Sequence, residues 1–89
     1  MGLDIPKFPV YKNAATISAY SNIRDIKQDK RDGEYNLSCL SNITHENLYV
    51  EVIYLELKSD EPFVDTWAVL YLELKRKLTE KGIEFTDVL

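Results

Sequence analysis

Paired carboxylates are the residues of this chain that come nearest to enzyme chemistry, because two acids held together can act as general acid and general base. Glu51 and Glu56 stand five positions apart on a predicted strand, so their side chains point to opposite faces and cannot share a site. Glu61 and Asp65 stand four positions apart and are neighbours on a predicted helix. Acids in the first turn stabilise the positive end of a helix, so we interpret this pair as structural.

The other reactive side chains form neither a metal site nor a nucleophilic centre. His45, the one histidine, falls in a predicted turn with no cysteine or second histidine near it. Cys39, the one cysteine, occupies an inward strand position, where a thiol packs as a small apolar group. The three glycines stand far apart and form no phosphate-binding loop. These patterns predict a protein that is not an enzyme and that binds no metal, no cofactor and no small-molecule substrate.

Basic and aromatic residues around a predicted hairpin support a nucleic-acid-binding alternative. Tyrosine rings on strands can stack on bases, and basic side chains can contact phosphates. The candidate residues are Tyr20, Arg24, Lys27, Lys30, Arg31 and Tyr35. However, residues 24–34 contain four acids against four basic residues, whereas a nucleic-acid footprint needs unbalanced positive charge. Single-stranded nucleic acid is therefore the second hypothesis.

Length and composition predict one small folded domain. The chain has 89 residues, of which 45% are hydrophobic and 29% charged, which is enough apolar surface for a single core. Its net charge is -4, and residues 46–65 contain six acids against Lys58. A lone cysteine fits a reducing compartment, so we predict a cytoplasmic protein. The longest apolar run, residues 67–72, is far below the roughly 20 residues that cross a bilayer.

The N-terminal third of the chain predicts an extended arm followed by a hairpin. Residues 1–12 contain two prolines, which cannot donate backbone hydrogen bonds, so we predict an arm that lies over the domain. Apolar alternation predicts strands over residues 14–27 and 34–41, joined by a tight turn at Asp32 and Gly33. The inward residues of the second of these strands are Tyr35, Leu37 and Cys39.

A third strand is predicted over residues 48–58, after a polar turn over residues 42–47. Both faces of this strand are partly apolar. That pattern indicates a central strand, covered by a helix on one side and by the arm or a partner on the other.

A near-repeat shows that flanking residues must decide the local structure, because VIYLELK at residues 52–58 returns as VLYLELK at residues 69–75. Before the second copy, Ser59 or Asp60 can cap a helix whose first turn accepts Pro62, and Gly82 can end it. The second copy is therefore predicted as helix and the first as strand. The predicted core stripe of this helix is Phe63, Trp67, Leu70, Leu74 and Leu78, joined by Val64 and Tyr71.

Together these elements predict an α+β fold in the order β-β-β-α-β. A three-stranded antiparallel meander is followed by one helix packed on the sheet and by a short C-terminal strand over residues 83–89, which places Ile83 and Phe85 inward. Residues 13–89 form the single α+β domain of this prediction.

The back face of the predicted helix carries apolar residues where a helix over one sheet should be polar. Val69 and Leu72 lie there with Ala68, between Asp65 and Arg76. Either the arm covers these residues or they form a patch for another subunit or a target protein. Six tyrosines and one tryptophan, types favoured at interface cores, fit the second option. These five residues are the predicted partner-binding site.

The function that these patterns favour is a non-enzymatic protein–protein interaction module. Its partner is itself, in an oligomer, or a larger protein on which it docks. Small size and a lack of recognisable chemistry are typical of accessory proteins of phages and mobile elements, which is the role we expect. No motif identifies a family, and no membrane association is predicted.

Overall fold

A five-stranded antiparallel sheet, covered on one face by one helix, forms the fold in the computed structural model, which describes residues 2–10 and 15–88. Its strands lie in the order β4-β3-β2-β1-β5. The chain makes a four-stranded meander, crosses the sheet as a helix, and adds the last strand at the opposite edge. The elements are β1 (Gly2–Val10), β2 (Ala15–Arg31), β3 (Glu34–His45), β4 (Leu48–Ser59), α1 (Thr66–Glu80) and β5 (Thr86–Val88).

The predicted order β-β-β-α-β is wrong, because four strands and not three precede the helix. Residues 2–10 of the predicted arm form β1 inside the sheet, paired with β2 on one side and β5 on the other. Leu3, Ile5 and Phe8 are buried in the core. Pro6 lies where the register with β2 shifts, between Ile5 and Phe8, so its missing N–H interrupts no regular ladder.

Five residues of the predicted elements lie outside the described residues. They are Met1, Tyr11 and Lys12 of the predicted arm, Ala14 of the predicted first strand and Leu89 of the predicted closing strand.

Two-residue turns join β2 to β3 and β3 to β4. Asp32 and Gly33 take φ of 51° and 81°, as their predicted tight turn requires. Glu46 and Asn47 also take positive φ, 52° and 66°, so the turn predicted over residues 42–47 is wrong in its length. Strand β3 instead continues to His45, and β2 continues to Arg31.

Strand β4 is an edge strand and not the predicted central one. Ile53 and Leu55 are buried against the helix side of the sheet, as an apolar face requires. Among residues 2–10 and 15–88, no strand lies beyond β4, and two strands, β3 and β2, separate it from β1. The predicted arm therefore does not cover its second apolar face.

Helix α1 begins later than predicted. Asp65 is the N-cap, and its carboxylate accepts a hydrogen bond from the Ala68 N–H at 3.3 Å. Ser59 is not a cap, because its hydroxyl accepts from the Glu61 N–H at 3.2 Å within the preceding loop. The predicted first turn, which contained Pro62, is therefore part of a loop.

The end of α1 agrees with the prediction. Gly82, at φ 73°, donates to the Thr79 carbonyl at 3.0 Å, and Ile83 donates to the Leu78 carbonyl at 2.9 Å. These two bonds form a Schellman motif, in which Ile83 and Leu78 are both buried. Phe85 also packs partly against the core.

The two copies of the near-repeat fold as predicted, the first in β4 and the second in α1. The helix buries Leu70, Tyr71, Leu74 and Leu78. Trp67 is 48% exposed, so its predicted place in the core stripe is wrong, and its ring stacks on Tyr71 with the centroids 6.0 Å apart. None of the described helices is long and apolar enough to cross a membrane.

Candidate functional site

No helix or strand of residues 2–10 and 15–88 covers the sheet face opposite α1, which we call the open face, and the edge strand β4 carries apolar side chains there. Residues directly opposite each other in an antiparallel pair share a face. Val52 lies opposite Asn42 and Tyr54 opposite Leu40, on the face away from the helix. We call the exposed apolar residues of this strand the β4 patch; each is between 42% and 71% exposed. They are Tyr49, Val52 and Tyr54 on the open face, Val50 between them, and Leu48, which lies opposite His45 on the helix side of the sheet.

A bulge in β4 concentrates the patch. Ile43 lies opposite Glu51 but Thr44 lies opposite Tyr49, so Val50 is an extra residue in this strand. The extra residue reverses the alternation of side chains and turns Tyr49 to the same face as Val52. Alternation read from the sequence alone would place Tyr49 with Glu51 on the opposite face, so this signal was not visible without the register.

The patch is flanked by polar contacts that hold its tyrosines in place. Arg24 donates through Nη1 to the Tyr49 hydroxyl at 3.2 Å, and the Tyr54 hydroxyl donates to Glu56 Oε2 at 3.0 Å. The hydrogen bond and charge of Asp25, with a smaller contribution from Tyr49, raise the pKa of Arg24. Preorganised aromatic side chains of this kind lose little conformational entropy on binding.

A groove of about 800 Å³ lies beside the patch on the open face. Tyr54 and Glu56 form one wall, and Lys27 and Asp29 of β2 form part of the other. The walls mix apolar, acidic and basic groups. The groove extends the β4 patch across the sheet without forming an enclosed pocket.

The predicted partner-binding residues lie on or near the outer face of α1, but several have structural roles. Asp65 caps the helix, and Val69 packs partly against the core. Arg76 bonds Glu73 through Nε at 2.9 Å and Glu80 through Nη1 at 2.9 Å, and these two acids raise its pKa. Ala68 is exposed, and Leu72 is 66% exposed.

The structure separates the six residues of the nucleic-acid alternative. By register, Tyr20, Arg24, Lys27 and Arg31 share the open face, whereas Lys30 and Tyr35 lie opposite each other on the helix side. The Lys30 ammonium lies 5.2 Å from the centroid of the Tyr35 ring.

Two of the basic residues on the open face already pair with acids. Arg24 lies 3.2 Å from an Asp25 carboxylate oxygen, and Arg31 lies 3.9 Å from one of Asp29. The open face therefore has little unbalanced positive charge.

The reactive side chains are placed in structural environments. Cys39 is 2% exposed, and burial raises the pKa of its thiol to about 11, so the thiol stays protonated near neutral pH. The Nδ1 atom of His45 lies 2.6 Å from the Ser18 carbonyl oxygen, to which it donates. Within residues 2–10 and 15–88, no group of three potential metal ligands comes together.

Comparisons with protein-family models, with curated proteins and with solved structures each found no match to this chain. The interpretation of the site therefore depends on its own residues. Sequence reasoning recognised that strand as apolar on both faces and named a partner as one possible cover, but it placed the strand in the centre of the sheet and included none of its residues in the predicted partner-binding site.

Proposed function

We propose that this protein is a non-enzymatic interaction module that binds a protein partner through the β4 patch. The observation that carries the proposal is the row of half-exposed to mostly exposed apolar side chains on an edge strand. Edge strands of soluble proteins usually carry charges, prolines or a cover, because an apolar edge invites association. A strand that keeps Val52 and Tyr54 exposed at the edge supports a binding role.

The exposed apolar side chains of the β4 patch set the binding free energy that the patch alone can contribute. Full burial of a valine, leucine or aromatic side chain is worth roughly 1.5–3 kcal/mol. Because the five side chains of the patch are on average about half exposed, covering them contributes on the order of 5 kcal/mol. Association itself costs about 4–15 kcal/mol, so the patch needs additional polar contacts to reach useful affinity. The free backbone edge of β4 is the adjacent source of such contacts.

The outer face of α1 is the competing interface, since Leu72 is exposed there. Two variants separate the surfaces. Val52→Lys with Tyr54→Lys removes the apolar character of the β4 patch at positions that are already half exposed. Leu72→Lys changes the helix face alone and spares Val69, which packs against the core.

The variants are compared in affinity capture from a lysate of the producing cells, with mass spectrometry to identify bound proteins and sedimentation to measure self-association. We expect the β4 double variant to lose the partner that the wild type captures and the Leu72 variant to retain it. Thermal melts check that both variants fold. If the β4 double variant retains the partner and the Leu72 variant loses it, the interface lies on helix α1 and not on the β4 patch.

We also propose a cytoplasmic location, on the basis of the free cysteine, which fits a reducing compartment. Fractionation of the producing cells tests it, and recovery from an oxidising compartment would contradict it.

A further inference from the structure

We propose that β4 takes up an extended, basic segment of a partner protein as a sixth strand of the sheet. This inference rests on the proposed function and names the chemistry of the partner. The patch supplies side-chain contacts, and the backbone edge of β4 supplies hydrogen bonds. Strand addition of this kind draws affinity from main-chain bonds and specificity from alternate side chains.

The backbone of β4 presents its polar groups in a regular row. Residues of an antiparallel strand alternate between those that bond to the neighbouring strand and those that point away from it. Lys77 of α1 donates through Nζ to the Tyr54 carbonyl oxygen at 3.4 Å, which indicates that Tyr54 points away from β3. By alternation, the backbone groups of Val52, Glu56 and Lys58 also point to the free edge.

In the free protein, Lys77 occupies one hydrogen-bonding position on this edge and so opposes the pairing of another strand; we call this its guarding role. Lysine side chains on sheet edges oppose the pairing of a further strand. Here the lysine comes from the helix and holds one carbonyl through one flexible side chain. An N–H of an incoming strand would take its place at the Tyr54 carbonyl.

The acidic charge around β4 favours a basic partner segment. Residues 46–61 contain five acids (Glu46, Glu51, Glu56, Asp60 and Glu61) and one base (Lys58), all with exposed side chains. Lys77 adds one more positive charge at the edge, so the balance around β4 remains acidic. A second copy of this chain would bring two acidic edges together, which opposes pairing, whereas a basic segment is attracted. The occupant is therefore a basic extended segment rather than another copy.

Side-chain geometry defines the pattern of that segment. Val52 and Tyr54 share the open face, so residues of an antiparallel partner strand directly opposite them also lie on that face. Apolar residues are favoured there. The intervening residues of the partner lie on the other side, so the expected segment alternates apolar and basic residues.

The test uses a synthetic peptide of alternating valine and lysine, about ten residues long to match the strand. Titration into the isotope-labelled full chain is followed by backbone amide chemical shifts. We expect shifts centred on Val52, Tyr54 and Glu56, with a dissociation constant below about 1 mM.

Matched peptides test the mode of binding. In an antiparallel sixth strand the valines on the open face exchange hydrogen bonds with β4, so N-methylation of the valines should weaken binding at least about tenfold. N-methylation of the lysines, whose amides point away, should not. A peptide with glutamate in place of lysine should also bind at least about tenfold more weakly.

Two variants of the protein test whether Lys77 opposes strand addition at the β4 edge. Lys77→Ala should tighten peptide binding, because the Tyr54 carbonyl becomes free. Lys81→Ala is the matched control, because it removes a positive charge at the C-cap of the same helix, and among the described residues no hydrogen bond or ion pair joins Lys81 to β4. Equal effects of the two variants would refute the guarding role and leave a simple charge effect.

Other occupants give distinct results. Absence of β4 shifts with the basic peptide, or equal binding by both N-methylated peptides, overturns strand addition. Concentration-dependent β4 shifts without peptide identify a second copy, and shifts produced only by a single-stranded oligonucleotide identify nucleic acid; each overturns the inference. The proposed function fails separately, when Val52→Lys with Tyr54→Lys leaves partner capture intact.

Discussion

Proline substitutions at two positions test where helix α1 begins. Trp67 is the second residue of the helix, where the backbone N–H has no helical partner. Leu72 lies in the helix interior with its side chain 66% exposed. Proline at Leu72 removes an interior hydrogen bond and clashes with the preceding turn, whereas proline in the first turn is tolerated. Alanine at each position measures the contribution of the side chain, so the proline-minus-alanine difference reports on the backbone.

The structure gives the expected sizes of these effects. Trp67→Ala removes a half-buried ring that stacks on Tyr71, so we expect a loss of about 2 kcal/mol, half the value for a fully buried aromatic residue. Trp67→Pro should add less than about 1 kcal/mol to that loss. Leu72→Ala should change stability by about 0.5 kcal/mol or less, and Leu72→Pro should cost about 3 kcal/mol or more.

Denaturant unfolding followed by circular dichroism measures all four variants, because two of them lack the tryptophan. A domain of this size is stable by roughly 4–13 kcal/mol, so the variants that lose about 3 kcal/mol or less should remain folded, and a Leu72→Pro chain that is unfolded without denaturant sets a lower limit to its loss. Similar proline-minus-alanine differences at Trp67 and Leu72 would refute Asp65 as the N-cap. The helix would then begin near Ser59 or Asp60, which makes Trp67 an interior residue.

Three further changes test the core and the cap. Burial raises the pKa of the Cys39 thiol from 9.0 to about 11. The stability that the neutral thiol contributes is therefore complete below pH 9 and is lost as the pH rises towards 11. Cys39→Ala should remove this loss of stability at alkaline pH, which denaturant titrations at several pH values can measure. Asp65 has φ 55°, a conformation that glycine adopts without strain. Asp65→Gly should therefore lower the stability less than Asp65→Ala, which loses the cap and keeps the backbone strain. Thermal melts should show a difference of about 1 kcal/mol between the two variants. The buried hydroxyls of Ser21 and Ser41 bond each other at 2.7 Å, so Ser21→Ala alone should cost about 1–3 kcal/mol; alanine at both positions should cost less than the sum of the single changes in a double-mutant cycle.

Elements determined by local chemistry could be predicted from the sequence. Asp32 and Gly33 supply the positive φ of a tight turn, and Gly82 supplies the left-handed residue that ends a helix. The helical copy of the near-repeat was predictable because it lies before Gly82 and carries apolar residues at helical spacing. In each case the deciding residues lie within a few positions of the feature.

Elements determined by distant pairing could not be predicted in this way. The prolines of β1 argue locally against a strand, yet β2 and β5 bond this segment from both sides, and its apolar residues fill the core. The start of α1 depends on a competition among Ser59, Asp60 and Asp65, all of which are good capping residues. Residue type alone does not decide that competition, because the chain must first cross from β4 to the helix face of the sheet.

Strand β4 shows how a correct sequence pattern can lead to a wrong position in the sheet. Apolar residues on both faces indicate that both faces are covered, but the pattern does not state whether the cover comes from the same chain. By register, Ile53 and Leu55 lie on the face that α1 covers and are buried, whereas Val52 and Tyr54 lie on the other face and remain 50% and 53% exposed. Solubility alone favours lysine or glutamate at two such positions on an edge strand. Their apolar character is therefore the reason that we propose a second molecule that completes the sheet.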